Sequence, residues 1–294
     1  DLQTFLHESI LTYSKAFSEM HSLKFTGVFS TQSDQYKINQ INASGFPNDA
    51  TLNEALQVAQ NITASSSRQS ERLDSYMGRA NYGFKDKIFV DLTARVDGSS
   101  KFGQNSKYGF FPAVSAAWRI SEEQFLKEAT YISDFKLRAS YGLTGNAGAI
   151  SPYQSLATVG PGSSYNLGNN YVTGLAPTGI ANPDLKWERS FQANFGIDVS
   201  FLDDRFNFVA DYYLKRTENL LYTKILPESS GYGSIVGNFA ELQNKGLEMA
   251  LSAVIIDNAL SWSVNGNISF NRNKVVGLDG DVGEAFVNSY SVVS

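Results

Sequence analysis

Side-chain catalysis needs a nucleophile and a base within reach of one another, and this sequence is poor in both. It has no cysteine and two histidines, His7 and His21. Without thiols there is no thiolate nucleophile, no disulfide and no Cys-based zinc or iron–sulfur site. Two imidazoles cannot build a multi-histidine metal centre. A Ser-His-Asp triad would have to use His7 or His21, both in the first strands, and no Gly-x-Ser-x-Gly elbow accompanies them. His7, beside Glu8, reads as a wall or rim residue. Asp279-Gly280-Asp281 with Glu284 has a faint calcium-loop look but lacks the further oxygen ligands, so it reads as a solvated turn. The chain is expected to be no enzyme and to hold no metal and no cofactor.

Binding is better supplied. Between residues 145 and 185, Tyr153, Tyr165, Asn166, Asn169, Asn170 and Tyr171 stand among Gly and Ser. Tyr222, Tyr232 and Asn238 stand likewise between 217 and 244. Flat aromatic plates beside paired amide donors and acceptors suit a sugar surface, although loops use the same residue types for conformational reasons alone. A second set is charged: Arg79, Asp91, Arg95, Asp97, Arg138, Glu188, Asp198 and Asp211, with Lys215 and Glu248. These are candidates for the polar face of a wall around water, where charge is cheap.

The elements that position both sets follow from a hydrophobic period of two, which places alternate side chains on opposite faces of a strand. Ile88, Val90, Leu92, Ala94 and Val96 alternate with Phe89, Asp91, Thr93, Arg95 and Asp97. Upstream, Tyr76, Gly78, Ala80, Tyr82 and Phe84 precede a break at 85–87. The alternation returns over 110–119, 136–144, 190–201, 206–215, 247–255 and 260–271, after two weaker strands near 8–18 and 22–32. About ten strands of about ten residues result, the length of a tilted strand that crosses a bilayer. Short turns at 85–87, 202–204 and 256–259 alternate with long loops at about 33–72, 98–107, 145–185 and 217–244. That asymmetry between rims separates an outer-membrane barrel, with periplasmic turns and extracellular loops, from a soluble β-sandwich. Residues 51–62, TLNEALQVAQNI, are expected to form a short amphipathic helix inside the first long loop, and Ser121 to cap a helical turn over 121–126. Trp118 and Trp262 fall near the short-turn rim and Trp187 near the other, as bilayer girdles require.

With 24 Lys and Arg against 29 Asp and Glu and no cationic run, a nucleic-acid footprint is absent. No segment approaches the roughly 18 uninterrupted apolar residues of a membrane helix. The N-terminus, DLQTFLHESI, lacks the parts of a signal peptide, so Asp1 reads as the start of a mature chain or a fragment.

Several segments together carry a family resemblance: RVDGSSKFGQNSKYGFFPAVSAAWR at 95–119 followed by SEEQF, LRASYGLTGN at 137–146 and NPDLKWE at 182–188. GIDVSFLDDRFNFVADYYLKRTENLLY at 196–222, LP at 226–227, NKGLE at 244–248 and NGNISFNRNKV at 265–275 complete the series. In order and spacing this resembles the C-terminal barrel region of the SusC/RagA family of TonB-linked outer-membrane transporters. The resemblance implies an all-β fold: residues 1–276 as an antiparallel transmembrane segment of a larger barrel of about 22 strands, and 277–294 as the start of a further loop or strand. It implies a plug that answers to TonB and lies outside this chain, a SusD-like lipoprotein lid, contact with outer-membrane lipid, and import of oligosaccharide or peptide into a bacterial cell. Either long loop could then meet the lid as readily as the cargo. The departures are the missing plug and the small strand number. The competing expectation is a soluble or surface-anchored carbohydrate-binding adhesin built from β-sandwiches, with a barrel lipase more distant.

Overall fold

The computed structural model of the chain describes residues 1–48, 50, 54–127, 129–148, 150–278 and 285–287. The strands are β1 (Leu2–Ser18), β2 (His21–Ser44), β3 (Asn61–Phe84), β4 (Ile88–Ser99), β5 (Tyr108–Arg119) and β6 (Ile132–Asn146). They continue with β7 (Thr158–Leu167), β8 (Asn170–Gly179), β9 (Glu188–Phe201), β10 (Phe206–Ile225), β11 (Ser234–Asp257), β12 (Ser261–Leu278) and the short β13 (Ala285–Val287). Eleven of them form one antiparallel sheet in the order β1-β2-β3-β4-β5-β6-β9-β10-β11-β12-β13, while β7 and β8 pair only with each other. Sequence neighbours are sheet neighbours throughout, apart from the β7–β8 excursion. The sheet is open, with β1 at one end and β13 at the other.

Register decides what the alternation means, because a slip of one residue would send every apolar side chain to the other face. Across the central strands the register shifts only at Ile132/Asp134 between β6 and β9 and at Thr217–Leu221 between β10 and β11, and the apolar rows between these points are continuous. Ala80, Leu92 and Val114 lie in one row, and Val114 continues to Tyr141 and Ala193. Phe195, Tyr212, Leu247 and Phe270 form another. Those rows, and the neighbouring row of Phe208 and Leu251, are uncovered: Leu92 is 54% exposed, Phe195 50% and Leu251 48%. An apolar face of this extent in contact with nothing is what a soluble domain avoids and a bilayer wall requires. The sandwich expectation fails here, since no second sheet lies on this face among the described residues.

Links on one rim are tight. Lys85 and Asp86 both take φ 52° between β3 and β4, the left-handed pair that a two-residue primed turn needs to match strand twist. At the same rim β5 and β6 are joined by a 3-10 turn (Ile120–Glu122) and a four-residue helix α1 (Gln124–Lys127), so the expected helical link is present. Ser121 does not cap it; its hydroxyl donates to Asp134 at 2.7 Å. The Trp118 indole N–H and then the Lys87 ammonium hold the Glu123 carboxyl below the usual carboxylate range, which ties Trp118 to this rim.

The opposite rim differs from expectation in its strand lengths. β2 runs on to Ser44 and β3 begins at Asn61, so the loop expected over 33–72 shrinks to 45–60. Within it Leu56–Val58 is a single 3-10 turn, and the helix expected at 51–62 is not formed over its described part. The loop expected over 217–244 shrinks to 226–233, because β10 reaches Ile225 and β11 starts at Ser234. The 145–185 loop contains the β7–β8 hairpin. The β2–β3 ladder is extended largely by polar residues beyond the apolar band, where neither face has to be greasy, whereas the β10–β11 ladder is extended by the mixed segments Leu220–Ile225 and Ser234–Ala240. The acidic turn at 279–284 lies outside the described residues.

Candidate lumen wall and rim

One face of the sheet carries the charged set, arranged as crossing ion pairs rather than isolated groups. Arg138 on β6 donates two bonds to the Asp198 carboxylate of β9, at 2.7 and 2.9 Å, and reaches Asp211 of β10 at 3.1 Å. Lys136 adds a contact of 3.0 Å to Asp198. Arg138 can span three strands because the residue between it and Asp211 in the row is Gly196. A Cβ there would stand 2.4 Å from an Asp211 oxygen and 2.7 Å from the guanidinium carbon, so the absent side chain is the guanidinium's bed. Gly196→Val should therefore break the Arg138–Asp211 contact by overpacking. It should lower the barrel's unfolding temperature by an amount corresponding to about 1–3 kcal/mol, read from heat-modifiable gel mobility of the full-length protein.

Further along the same face Arg79 meets Asp91 at 3.1 Å, and the Asn81 amide donates to the same carboxylate. Arg95 clasps Asp97 at 2.7 Å and donates to Ser75 at 3.2 Å. Glu188, buried at the top of β9, accepts from the Asn146 amide at 2.7 Å and from the Leu221 N–H at 2.8 Å. These pairs are partly solvated, so each contributes modestly. Together they keep the charged side chains flat against the sheet.

The other group is the long-loop rim. Phe102, Phe111, Leu143, Ile150, Leu185 and Trp187 bury one another there. Phe102 stacks on Trp187 with centroids 4.4 Å apart, Phe111 meets the same indole edge-on, and the indole N–H donates to the Lys107 carbonyl at 3.2 Å. Asn238 spends its whole amide on backbone: it donates to the carbonyls of Lys186 and Asn219 and accepts from the Lys186 N–H. Its role is to pin the segment before β9 to β11. Tyr153 accepts a bond from the Ser70 N–H across 83 residues, and its contacts with Ser70 hold the phenol below its ordinary value. Tyr222 is on β10 opposite Gly237, and Tyr232 is in the 226–233 link. Tyr165, Asn166, Asn169, Asn170 and Tyr171 gather at the tip of the β7–β8 hairpin, where Asn166 pairs with Tyr171 and Leu167 with Asn170. That hairpin leaves Tyr171, Leu167 and Leu175 well exposed.

Thr31, Asp74 and Arg72 form a polar group not anticipated from the residue pattern, and Thr4, Asp34 and Gln32 form another. Apart from Thr4 on β1 they lie in 31–74, most of which read as loop; the spacing of two between Gln32 and Asp34 and between Arg72 and Asp74 was the available signal. No group of three or more metal-ligating side chains occurs among the described residues.

The model of the family described as TonB dependent receptor-like, beta-barrel, matches residues 4–292. The chain belongs to that family. TonB-dependent receptor P3 of Formosa agariphila is 41% identical over 288 residues, 97% of this chain and 28% of that protein. TonB-dependent receptor SusC of Bacteroides thetaiotaomicron is 34% identical over 239 residues, 80% of this chain and 23% of SusC. The chain thus spans about a quarter of these relatives. A structure of the RagAB peptide transporter superposes with TM-score 0.80 and 27% identity, over 94% of this chain and 30% of that one. As a segment of a SusC/RagA-like TonB-dependent receptor, the sheet is part of an outer-membrane barrel wall.

Proposed function

We propose that the protein of which this wall is part imports an oligosaccharide or a peptide across the outer membrane. TonB drives it through a plug outside this chain, and a SusD-like lipoprotein closes the outer mouth. The observation that supports this is the two-faced sheet: an uncovered apolar face whose rows run continuously from strand to strand, backed by a face of crossing ion pairs. Such a sheet separates lipid from water, with Arg79, Asp91, Arg95, Asp97, Arg138, Glu188, Asp198 and Asp211 toward an aqueous lumen and the plug. The relatives' TonB dependence supports the coupling and the RagAB likeness supports a peptide, while the oligosaccharide alternative rests on the loop aromatics and amides; the protein performs no chemistry on what it carries. The β7–β8 hairpin, with Tyr165, Asn166, Asn169, Asn170 and Tyr171 at its tip, is the element placed to touch cargo or lid.

The test uses the full-length protein in its own cell. Uptake of labelled oligosaccharides and peptides is compared between the parent, a deletion strain, and a strain whose hairpin 158–179 is replaced by a short Gly-Ser link. One cargo class should be lost on deletion. The hairpin variant should reach the membrane at parental level yet import that cargo roughly tenfold more slowly, a loss of about 1.4 kcal/mol of recognition. Unchanged uptake of every cargo on deletion would remove the import proposal; unchanged uptake by the variant would remove the hairpin's role.

A further inference from the structure

The β7–β8 hairpin stands apart in charge as well as in pairing. In a chain that is 18% charged, no Asp, Glu, Lys, Arg or His occurs from 139 to 183. An open strand edge is a template for further pairing, and charged side chains are a usual guard against it. Both edges of this ribbon are open, because β7 and β8 pair only with each other.

The two edges are not alike. β7 is blunted by Pro161 and by the register shift between Pro161 and Ser164, where the surplus residue belongs to β7 and bends that strand. β8 has its proline, Pro177, only at the base, and from Tyr171 to Ala176 it carries neither proline nor charge. The turn Gly168-Asn169, with Gly168 at φ 66°, joins Leu167 directly to its partner Asn170. In such a two-residue hairpin the flanking pair exchanges both ladder hydrogen bonds, so by alternation the backbone N–H and C=O groups of Tyr171, Thr173 and Leu175 point away from β7. Among the described residues no turn or loop backbone bond reaches them.

The base of the hairpin is fixed. Ile150 and Leu185 are buried beside it, the Asn182 N–H donates to the Ser155 carbonyl at 3.0 Å, and the Asn182 amide donates to the Val236 carbonyl at 3.2 Å. An edge held in place before pairing gives up little freedom on binding.

Side-chain facing separates the two cargo classes. Tyr165 pairs with Val172 and Tyr171 with Asn166, so the two phenols lie on opposite faces of the ribbon and form no common plate for a sugar. What β8 offers instead is a backbone ladder, with Tyr171 and Leu175 on one face and Val172 and Ala176 on the other. An extended peptide complements that ladder through its main chain and lays alternate side chains beside those neighbours.

We propose that the β8 edge from Tyr171 to Ala176 receives an extended peptide cargo as an added strand, held by its backbone and without selection for charge. The inference rests on the import reading above and narrows its cargo to peptide.

The test uses purified full-length protein in detergent and fluorescence anisotropy. The probes are a labelled, capped nonapeptide of Ser, Thr, Val and Gln, the same peptide N-methylated at its central residues, and labelled maltoheptaose. N-methylation keeps the side chains and removes the peptide's donors, so the methylated form should bind roughly tenfold more weakly or worse. Thr173→Pro removes one outward N–H at an edge position that tolerates proline, and it should weaken the parent peptide by a similar factor, whereas Thr173→Ala should not. Equal binding of the methylated peptide, or parental affinity in Thr173→Pro, would overturn strand addition. Binding of maltoheptaose that Tyr171→Ala abolishes and Thr173→Pro spares would reassign the hairpin to sugar and overturn it as well. Import itself is tested by the deletion strain, so peptide uptake that deletion abolishes and Thr173→Pro leaves unchanged would remove the edge site alone.

Discussion

Arginine placed at Leu92, Ile197 or Leu251 in the full-length protein should block membrane assembly, whereas arginine at Thr93, Asn194 or Ser252 should not. Each pair consists of neighbours or near neighbours on one strand that face opposite ways. Leu92 lies between Ala80 and Val114, Ile197 between Leu137 and Ala210, and Leu251 between Phe208 and Gly266. All three are four to six residues from the short-turn rim, so they stand well inside the apolar band. A guanidinium there costs about 2–4 kcal/mol near the bilayer midplane, a sizeable share of the marginal stability of a folded protein. Thr93, Asn194 and Ser252 sit among the ion pairs and hydroxyls of the other face, where the added group meets water. Heat-modifiable mobility and surface protease protection in isolated outer membranes measure the difference. Equal tolerance of the two sets would mean that the faces are wrongly assigned.

The second large effect is expected at the rim rather than in the wall. Leu185 is fully buried beneath Phe102 and Trp187, and its backbone carbonyl accepts from the Gly103 N–H at 3.0 Å. Leu185→Ala leaves a cavity that the surrounding aromatic rings fill only in part, at a cost of about 2–5 kcal/mol. Trp187→Ala should cost about 3–5 kcal/mol for the same reason. Because these side chains join 100–107 to the segment before β9, the loss should appear as local opening. Limited proteolysis of the full-length protein should cut faster between 147 and 187, while the wall keeps its heat-modifiable mobility. Cleavage at the parental rate would show that the rim is held by the backbone ladder instead.

The facing of the wall was legible because lipid imposes a local rule: every second residue from Ile88 to Val96 or from Phe191 to Phe201 must be apolar, whatever the neighbouring strand does. The extended upper strands were not legible, since a run such as Ser65-Ser66-Ser67 has no apolar alternation and a polar ladder reads like a loop. The helix expected at 51–62 failed for the converse reason. Its apolar spacing was compatible with a helical stripe, but Asn61 onward is drawn into β3 by pairing with β2.

By itself, then, the sequence determined the class, the alternation of rims and the side from which each strand meets lipid, because these depend on periods of two and on turn residues within a few positions. Tertiary structure decided which charges meet and what the loop residues do. Arg138 finds Asp198 and Asp211 from 60 and 73 residues away, through a gap left by Gly196, and Asn238 serves backbone rather than an open surface. Those outcomes depend on register and on the approach of distant strands. Lys245 faces Arg272 for the same reason: both were readable as isolated cations, and only the hydrogen-bonded ladder between β11 and β12 sets them side by side.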